Sequence, residues 1–202
     1  QAEDGIRDRS PSRGLGDVYK RQGYGSLVNI NTHSYRPYEK GTIKGWRRIW
    51  CYTKLREVPF LSAHFVNKGQ ISGLIASVPD NDWSALDRRE TGYHRTKIPL
   101  KLQKNTSKNE FQIYHVPPSN ISNNKPVKGI ILSYLDCVIK GYLEQYGEEG
   151  VVDFFETTDG WNCQIFDDRL NPIYPRHIQL TKSEQILVDH YLELSRKKQK
   201  YN

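Results

Sequence analysis

The chain contains no Met and only three cysteines in 202 residues, and no stretch of it is long and wholly apolar. Cys51, Cys137 and Cys163 are far apart and form no C-x-x-C pair, which excludes a disulfide framework and a structural zinc site and points to a reducing, cytoplasmic setting. Nothing approaches the roughly 18–20 consecutive apolar residues of a membrane-spanning helix, so a transmembrane protein is excluded. With 15 Gly and 10 Pro the chain is not collagen-like, and 11% aromatic residues is too rich for disorder. What is present is a polar chain with a mean hydropathy of −0.75, a net charge of +7 and a pI near 9.2. At roughly 150 residues per domain, this length predicts one domain. The basic balance permits nucleic acid or a small anion as partner and requires neither.

The chain opens on Gln1, and residues 1–22 have neither the apolar centre of a secretory signal nor the acid-poor composition of a transit peptide. They read as a non-native, adaptor-derived segment, followed by a single domain over 23–195 and a basic tail over 196–202. Without residues 1–22, 25 basic and 19 acidic side chains remain, so the net charge of +6 belongs to the domain.

Short apolar runs at 42–52, 60–66 and 70–78 read as strands, as do 93–100 and 111–116. Pro79–Asp82 is a turn whose aspartates cap a short helix over about 83–91, stopped by Gly92. Val127, Ile130, Ile131, Tyr134, Leu135, Val138, Tyr142 and Leu143 recur at helical spacing behind the cap residues Ser122–Asn124, which predicts a long amphipathic helix. A second helical stretch covers about 148–156. Thr181 and Glu184 have capping-box spacing, and Ile186, Leu187, Tyr191 and Leu194 supply the apolar face of a terminal helix. Strands first and helices later, without regular alternation, indicate an α+β fold.

Glu90 is the first residue expected to carry chemistry. Spacings of three and four residues align it with Trp83 and Leu86 on the buried stripe, while Asp87, Arg88 and Arg89 turn toward water. It falls in the last helical turn, where carbonyl dipoles and desolvation both disfavour a carboxylate and favour a general base with a raised pKa. The bland alternative is a Glu paired with Arg88 or Arg95. A second cluster, Gly23-Tyr24-Gly25-Ser26-Leu27, lets the backbone adopt positive φ and approach a ligand closely, with the N–H groups of Gly25, Ser26 and Leu27 forming an anion-binding concavity. Alone, that cluster is equally a plain turn.

Tyr24-Gly25-Ser26-Leu27, then Gly45-Trp46-Arg47-Arg48, Gly73, and Leu86-Asp87-x-x-Glu90-x-x-Tyr93-x-Arg95, in that order and spacing, resemble the gamma-glutamylcyclotransferase superfamily (AIG2-like and ChaC-like). Tyr114, Pro126 and the helix bearing Ser133-Tyr134-Leu135 and Gly141 extend the likeness to about Leu143. The resemblance implies a compact mixed β-barrel with flanking helices. It also implies an enzyme that cyclises a small γ-glutamyl compound to 5-oxoproline, releasing an amine or amino acid without cofactor or metal. Carried onto this sequence, Glu90 is the catalytic acid/base, Tyr24, Gly25, Ser26, Leu27 and Tyr114 bind substrate, and Tyr93 and Arg95 support the site. The family's hydrophobic first strand falls where Asp17–Gln22 stand, so that strand is expected to be missing or replaced. Trp46, Tyr93 and Trp161 are further wall residues.

Two rival readings stand beside this one. A basic nucleic-acid-binding module would use Arg47, Arg48 and the tail, but alternation puts the two arginines on opposite faces of a strand. A catalytically silent interaction protein on the same fold would not need Glu90. The six histidines show no metal-binding spacing, Ser26 lacks the G-x-S-x-G context of a hydrolase nucleophile, and Cys137 reads as core packing.

Overall fold

The longest strand carries, in the structure, an irregularity where the sequence places a break. The computed structural model describes residues 20–78, 82–99, 111–124 and 128–200. In it β2 (Tyr38–Cys51) pairs antiparallel with β3 (Phe60–Ser77), an 18-residue strand where the sequence predicts two, broken at Asn67–Gly69. The predicted break is a bulge on β3 itself. Lys44 pairs with Gln70 and Trp46 with Phe65, so the four residues 66–69 stand opposite Gly45 alone, which adopts φ +77°, and pairing continues on both sides of this bulge.

The remaining strands are β1 (Lys20–Gly23), β4 (His94–Ile98), β5 (Phe111–His115), β6 (Ile130–Ile131), β7 (Thr158–Asp159) and β8 (Ile165–Phe166). The main sheet runs β4-β5-β1-β3-β2-β7. β1 is antiparallel to β3 and parallel to β5, β7 is parallel to β2, and β6 pairs with β8 separately. The α+β class holds, but the sheet is open and not the closed barrel expected. Closure needs the two edge strands to bond each other, and β7 offers two residues, joined through Thr157 to the end of a helix. The first-strand place is filled. Lys20, Arg21 and Gln22, read from sequence as non-native, pair with Ser77, Ala76 and Ile75 on one side and Phe111, Gln112 and Ile113 on the other. The rest of that segment, residues 1–19, lies outside the described residues.

Three helices follow: α1 (Ser84–Arg89), α2 (Leu132–Glu156) and α3 (Lys182–Lys200). α1 has one and a half turns, too few to persist alone, so it depends on burying Leu86, which is 0% exposed and contributes about 1.5–3 kcal/mol. Asp82 accepts from Ser84 N at 2.8 Å, as its capping role predicts; Pro79–Asn81 are outside the described residues. α2 starts later than predicted because Ile130 and Ile131 are extended in β6, and its first turn is capped by Asp168, whose carboxylate accepts from Ser133 N (2.8 Å) and Ser133 Oγ (2.5 Å). α2 is broken at Gly147, whose φ of +70° and ψ of −167° are not helical, so residues 148–156 form a second helical segment beyond this kink, as predicted. α3 has the predicted capping box: Thr181 N donates to Glu184 Oε2 at 2.9 Å and Glu184 N to Thr181 Oγ1 at 3.3 Å. Its buried residues are Val188 and Leu192, flanked by Leu187 and Tyr191, whereas Ile186 and Leu194 are exposed. The basic tail continues this helix, and Arg196 Nη1 is tied to the carbonyls of Trp161 (2.9 Å) and Cys163 (2.5 Å).

The core lies between the sheet and α2. Trp50, Leu61, Ile71 and Leu74 of the long hairpin meet Leu135, Val138, Tyr142 and Phe154 of the helix, with Trp161 stacked on Phe155 at 4.9 Å. All three cysteines are buried, and none is in a disulfide.

Candidate active site

The glycine turn is anchored from beneath by a charge. Arg48 is fully buried, and its guanidinium donates to Tyr24 O (3.2 Å), Ser72 O (2.5 Å), Thr157 Oγ1 (2.5 Å) and Tyr142 Oη (2.6 Å), between the faces of Tyr142 and Phe154. The Tyr142 hydroxyl lies 2.9 Å from the same Tyr24 carbonyl. From that fixed peptide the chain enters a 3-10 turn, Ser26–Val28, with Val28 N on Gly25 O (2.9 Å) and Asn29 N on Ser26 O (3.1 Å). Neither Gly23 nor Gly25 adopts positive φ; Gly25 sits at φ −116°. Close approach explains Gly25 instead, since a Cβ there would meet the Tyr134 hydroxyl at 2.8 Å. The Ser26 backbone acts on the Tyr134 phenol and the Ser26 side chain on Tyr174, each partly offsetting the upward push of burial.

Glu90 caps α1 at its C-terminal end, with its N–H on Leu86 O (2.9 Å) and its carbonyl accepting from Tyr93 N (3.0 Å). Its side chain is 16% exposed, so it lies on the inner face as the helical spacing predicts. Among the described residues it pairs with Arg89, Nε to Oε1 3.4 Å, rather than with Arg88 or Arg95. Arg89 is itself only 11% exposed and donates to Thr32 O (3.1 Å) and Thr32 Oγ1 (3.3 Å), so it does not turn toward water. The short helix ends at Glu90, which frees the backbone there from helical phase and lets neighbouring residues share one side.

Glu90 and the glycine turn line the same small crevice, about 30 Å³, with Gln22, Tyr93, Tyr114 and Tyr134. This opens into a larger cleft of about 230 Å³ bounded by Trp50, Arg56, Phe60, Arg89, Tyr174 and Arg176. Ser26, Leu61, Glu90, Tyr93 and Tyr134 belong to both. The crevice is walled by phenols. Burial holds Tyr24, Tyr93 and Tyr134 well above the ordinary tyrosine range, and the Glu90 carboxylate adds to the effect on each. Tyr114 is raised by burial and by its bond to Asp87. All four therefore remain protonated hydrogen-bonding groups at neutral pH. Tyr24 donates to Tyr114 O at 2.5 Å and Tyr93 to Leu61 O at 2.9 Å, which ties the walls together. Arg95 stands outside, over the Trp83 ring at 4.2 Å and 3.5 Å from Asp87, and so supports the Asp87–Tyr114 contact. Trp46 and Trp161 line neither space, contrary to expectation: Trp46 packs on Phe65 and Trp161 belongs to the core under α2.

The family described as "Gamma-glutamyl cyclotransferase, AIG2-like" matches residues 21–131, more than half of the chain. The chain belongs to this family. Among solved structures, one described as "Gamma-glutamyl cyclotransferase" is similar at a TM-score of 0.52 and 10% identity, covering 86% of this chain and 99% of its own. An uncharacterized protein from Homo sapiens gives the same values. YkqA from Bacillus subtilis is similar at 0.50 and 13%, covering 72% of this chain and 57% of its own. Likeness at such identity shows the cyclotransferase fold alone. No curated protein sequence matches the chain.

Several cleft residues of this cyclotransferase-family protein carry no local signal in the sequence. Arg56 lies in the β2–β3 connection, while Tyr174 and Arg176 come from the segment before α3, more than eighty residues beyond Glu90. Tyr134 was visible as one apolar position of α2 and within the Ser133-Tyr134-Leu135 motif, but not as a site residue. Arg89 could have been found: adjacent to Glu90 at a helix end, it needed only the recognition that helical phase stops there. Among the described residues no helix is long and apolar enough to cross a membrane, and no group of three or more His, Cys, Asp or Glu could hold a metal ion.

Proposed function

We propose that the protein is a γ-glutamyl cyclotransferase, converting a γ-glutamyl compound to 5-oxoproline with release of an amine or amino acid. The observation that carries this reading is the meeting of Glu90 with the Tyr24–Leu27 turn in one phenol-walled crevice. The substrate's α-amine attacks its own γ-carbonyl carbon. A C–N bond forms to close the five-membered ring, and the bond to the departing nitrogen breaks. Glu90 takes a proton from the attacking amine and passes it to the leaving nitrogen, so one carboxylate serves both steps. The turn and the neutral phenols of Tyr24, Tyr93 and Tyr114, whose own protons go to Tyr114 O, Leu61 O and Asp87, wall in the folded conformer, with amine and carbonyl about 3–3.5 Å apart, and the Tyr134 hydroxyl gives a donor near the developing oxyanion.

The basic-module reading loses its surface. Arg47 is held by Asp159 at 2.8–3.1 Å and Arg48 is buried. The test is incubation of the protein with a panel of γ-glutamyl amino acids, peptides and amines, with the matching α-glutamyl compounds as controls. The reading expects 5-oxoproline from γ-linked members only. No 5-oxoproline from any of them, together with unchanged binding of the same compounds, would favour the catalytically silent relative.

A further inference from the structure

The cleft carries more positive charge than its own chemistry uses. Three guanidiniums, Arg56, Arg89 and Arg176, line it against one carboxylate, Glu90. Arg89 is occupied by Glu90 and Thr32. Arg56 and Arg176 are in no ion pair or hydrogen bond among the described residues; Arg56 rests over the Phe60 ring at 5.1 Å, and its neighbour Glu57 pairs with Lys128 instead. Both arginines are exposed, whereas Glu90, Ser26 and Tyr93 are not, so they sit at the outer end of the cleft. Neither lines the inner crevice that holds the glycine turn.

The two spaces join at Glu90, which divides a bound substrate at the bond to be broken. The glutamyl head points to the inner crevice, and the leaving group must extend toward Arg56 and Arg176. Two like charges facing one partly enclosed space repel each other, and an anion between them removes that repulsion while accepting bidentate bonds from a guanidinium fork. Resting on the cyclotransferase reading for the identity of the ligand, we infer that Arg56 and Arg176 form a carboxylate-binding subsite for the leaving group. They make the protein select γ-glutamyl compounds whose departing amine bears a carboxylate over those that release a neutral-tailed amine.

Two compounds isolate the group in question: γ-glutamylglycine and γ-glutamylmethylamide differ only by that carboxylate. The wild-type protein is expected to favour γ-glutamylglycine by about tenfold or more in kcat/KM, the scale of one charge-assisted hydrogen bond. In the Arg56→Gln, Arg176→Gln double variant that ratio is expected to collapse to within about twofold of parity, and the wild-type preference to weaken as salt is raised. Equal turnover of both compounds by the wild type, or a double variant that slows both in the same proportion, would overturn the inference. Calorimetric binding of the two compounds separates this from the catalytic claim. Carboxylate-dependent binding that the double variant loses, without any turnover, supports the subsite and sinks the cyclotransferase reading. Equal binding of both compounds sinks the subsite whatever the turnover.

Discussion

Arg48 shows what one residue does for the site without touching its crevice. Its charge is met among the described residues by two carbonyls, two hydroxyls and two aromatic faces rather than by a carboxylate, and one of those carbonyls belongs to Tyr24, from which the glycine turn departs. A lysine cannot reproduce the fork, and truncating its reach leaves buried acceptors and the Tyr142 hydroxyl short of a donor. Arg48→Lys is expected to lower stability by about 3 kcal/mol, read as a shift of the urea midpoint at unchanged slope. A loss under about 1 kcal/mol would mean the turn is held by other contacts. This residue also marks a limit of sequence reading. Period-two alternation correctly separates Arg47 from Arg48, but only the fold tells which of the two is buried.

At the level of elements, α1 is the weakest piece that the account depends on. Six residues cannot hold a helix by their own hydrogen bonds, so the position of Glu90 is set by Leu86 sinking into the core one turn earlier. Leu86→Ala is expected to cost about 2–5 kcal/mol and to depress 5-oxoproline formation further than the unfolded fraction explains, measured at a temperature where the variant is still folded. Full activity in a folded variant would detach Glu90 from this anchor. Helical spacing made Glu90 legible because it depends on neighbours three and four residues away. The start of α2 was not legible, since its cap, Asp168, lies 35 residues downstream of Ser133. The Asn67–Gly69 break was legible as an irregularity, since residues 66–69 bulge out opposite Gly45; that one strand resumes beyond it is decided by β2, across the ladder. The capping box of α3, wholly local, was read correctly.

For the whole molecule, the short strand that follows α2 is joined to the long hairpin by charge. Asp159 in β7 accepts from Arg47 of β2 and lies 3.2 Å from His64 of β3. Burial would raise its carboxyl, but the bonds from His64 and Arg47 win and hold it down at about 2. Because the folded value lies below the unfolded one near 3.9, this contribution is complete above about pH 4 and is lost as pH falls toward 2. With the side chain 34% exposed, its worth is discounted to about 1 kcal/mol. Wild type and Asp159→Asn should therefore differ in urea midpoint at pH 6 and by much less at pH 2, and a gap undiminished at pH 2 would contradict the assignment. At this scale the family and the α+β class were legible from ordered motifs, while the open sheet was not, because closure depends on whether its two edges meet. The central claim is that Glu90 moves the proton in ring closure. The most direct measurement is the rate of 5-oxoproline release from one γ-glutamyl substrate by wild type and by Glu90→Gln, with matched unfolding midpoints. A fall of at least about 10²-fold is predicted; turnover within a few-fold of wild type would contradict it.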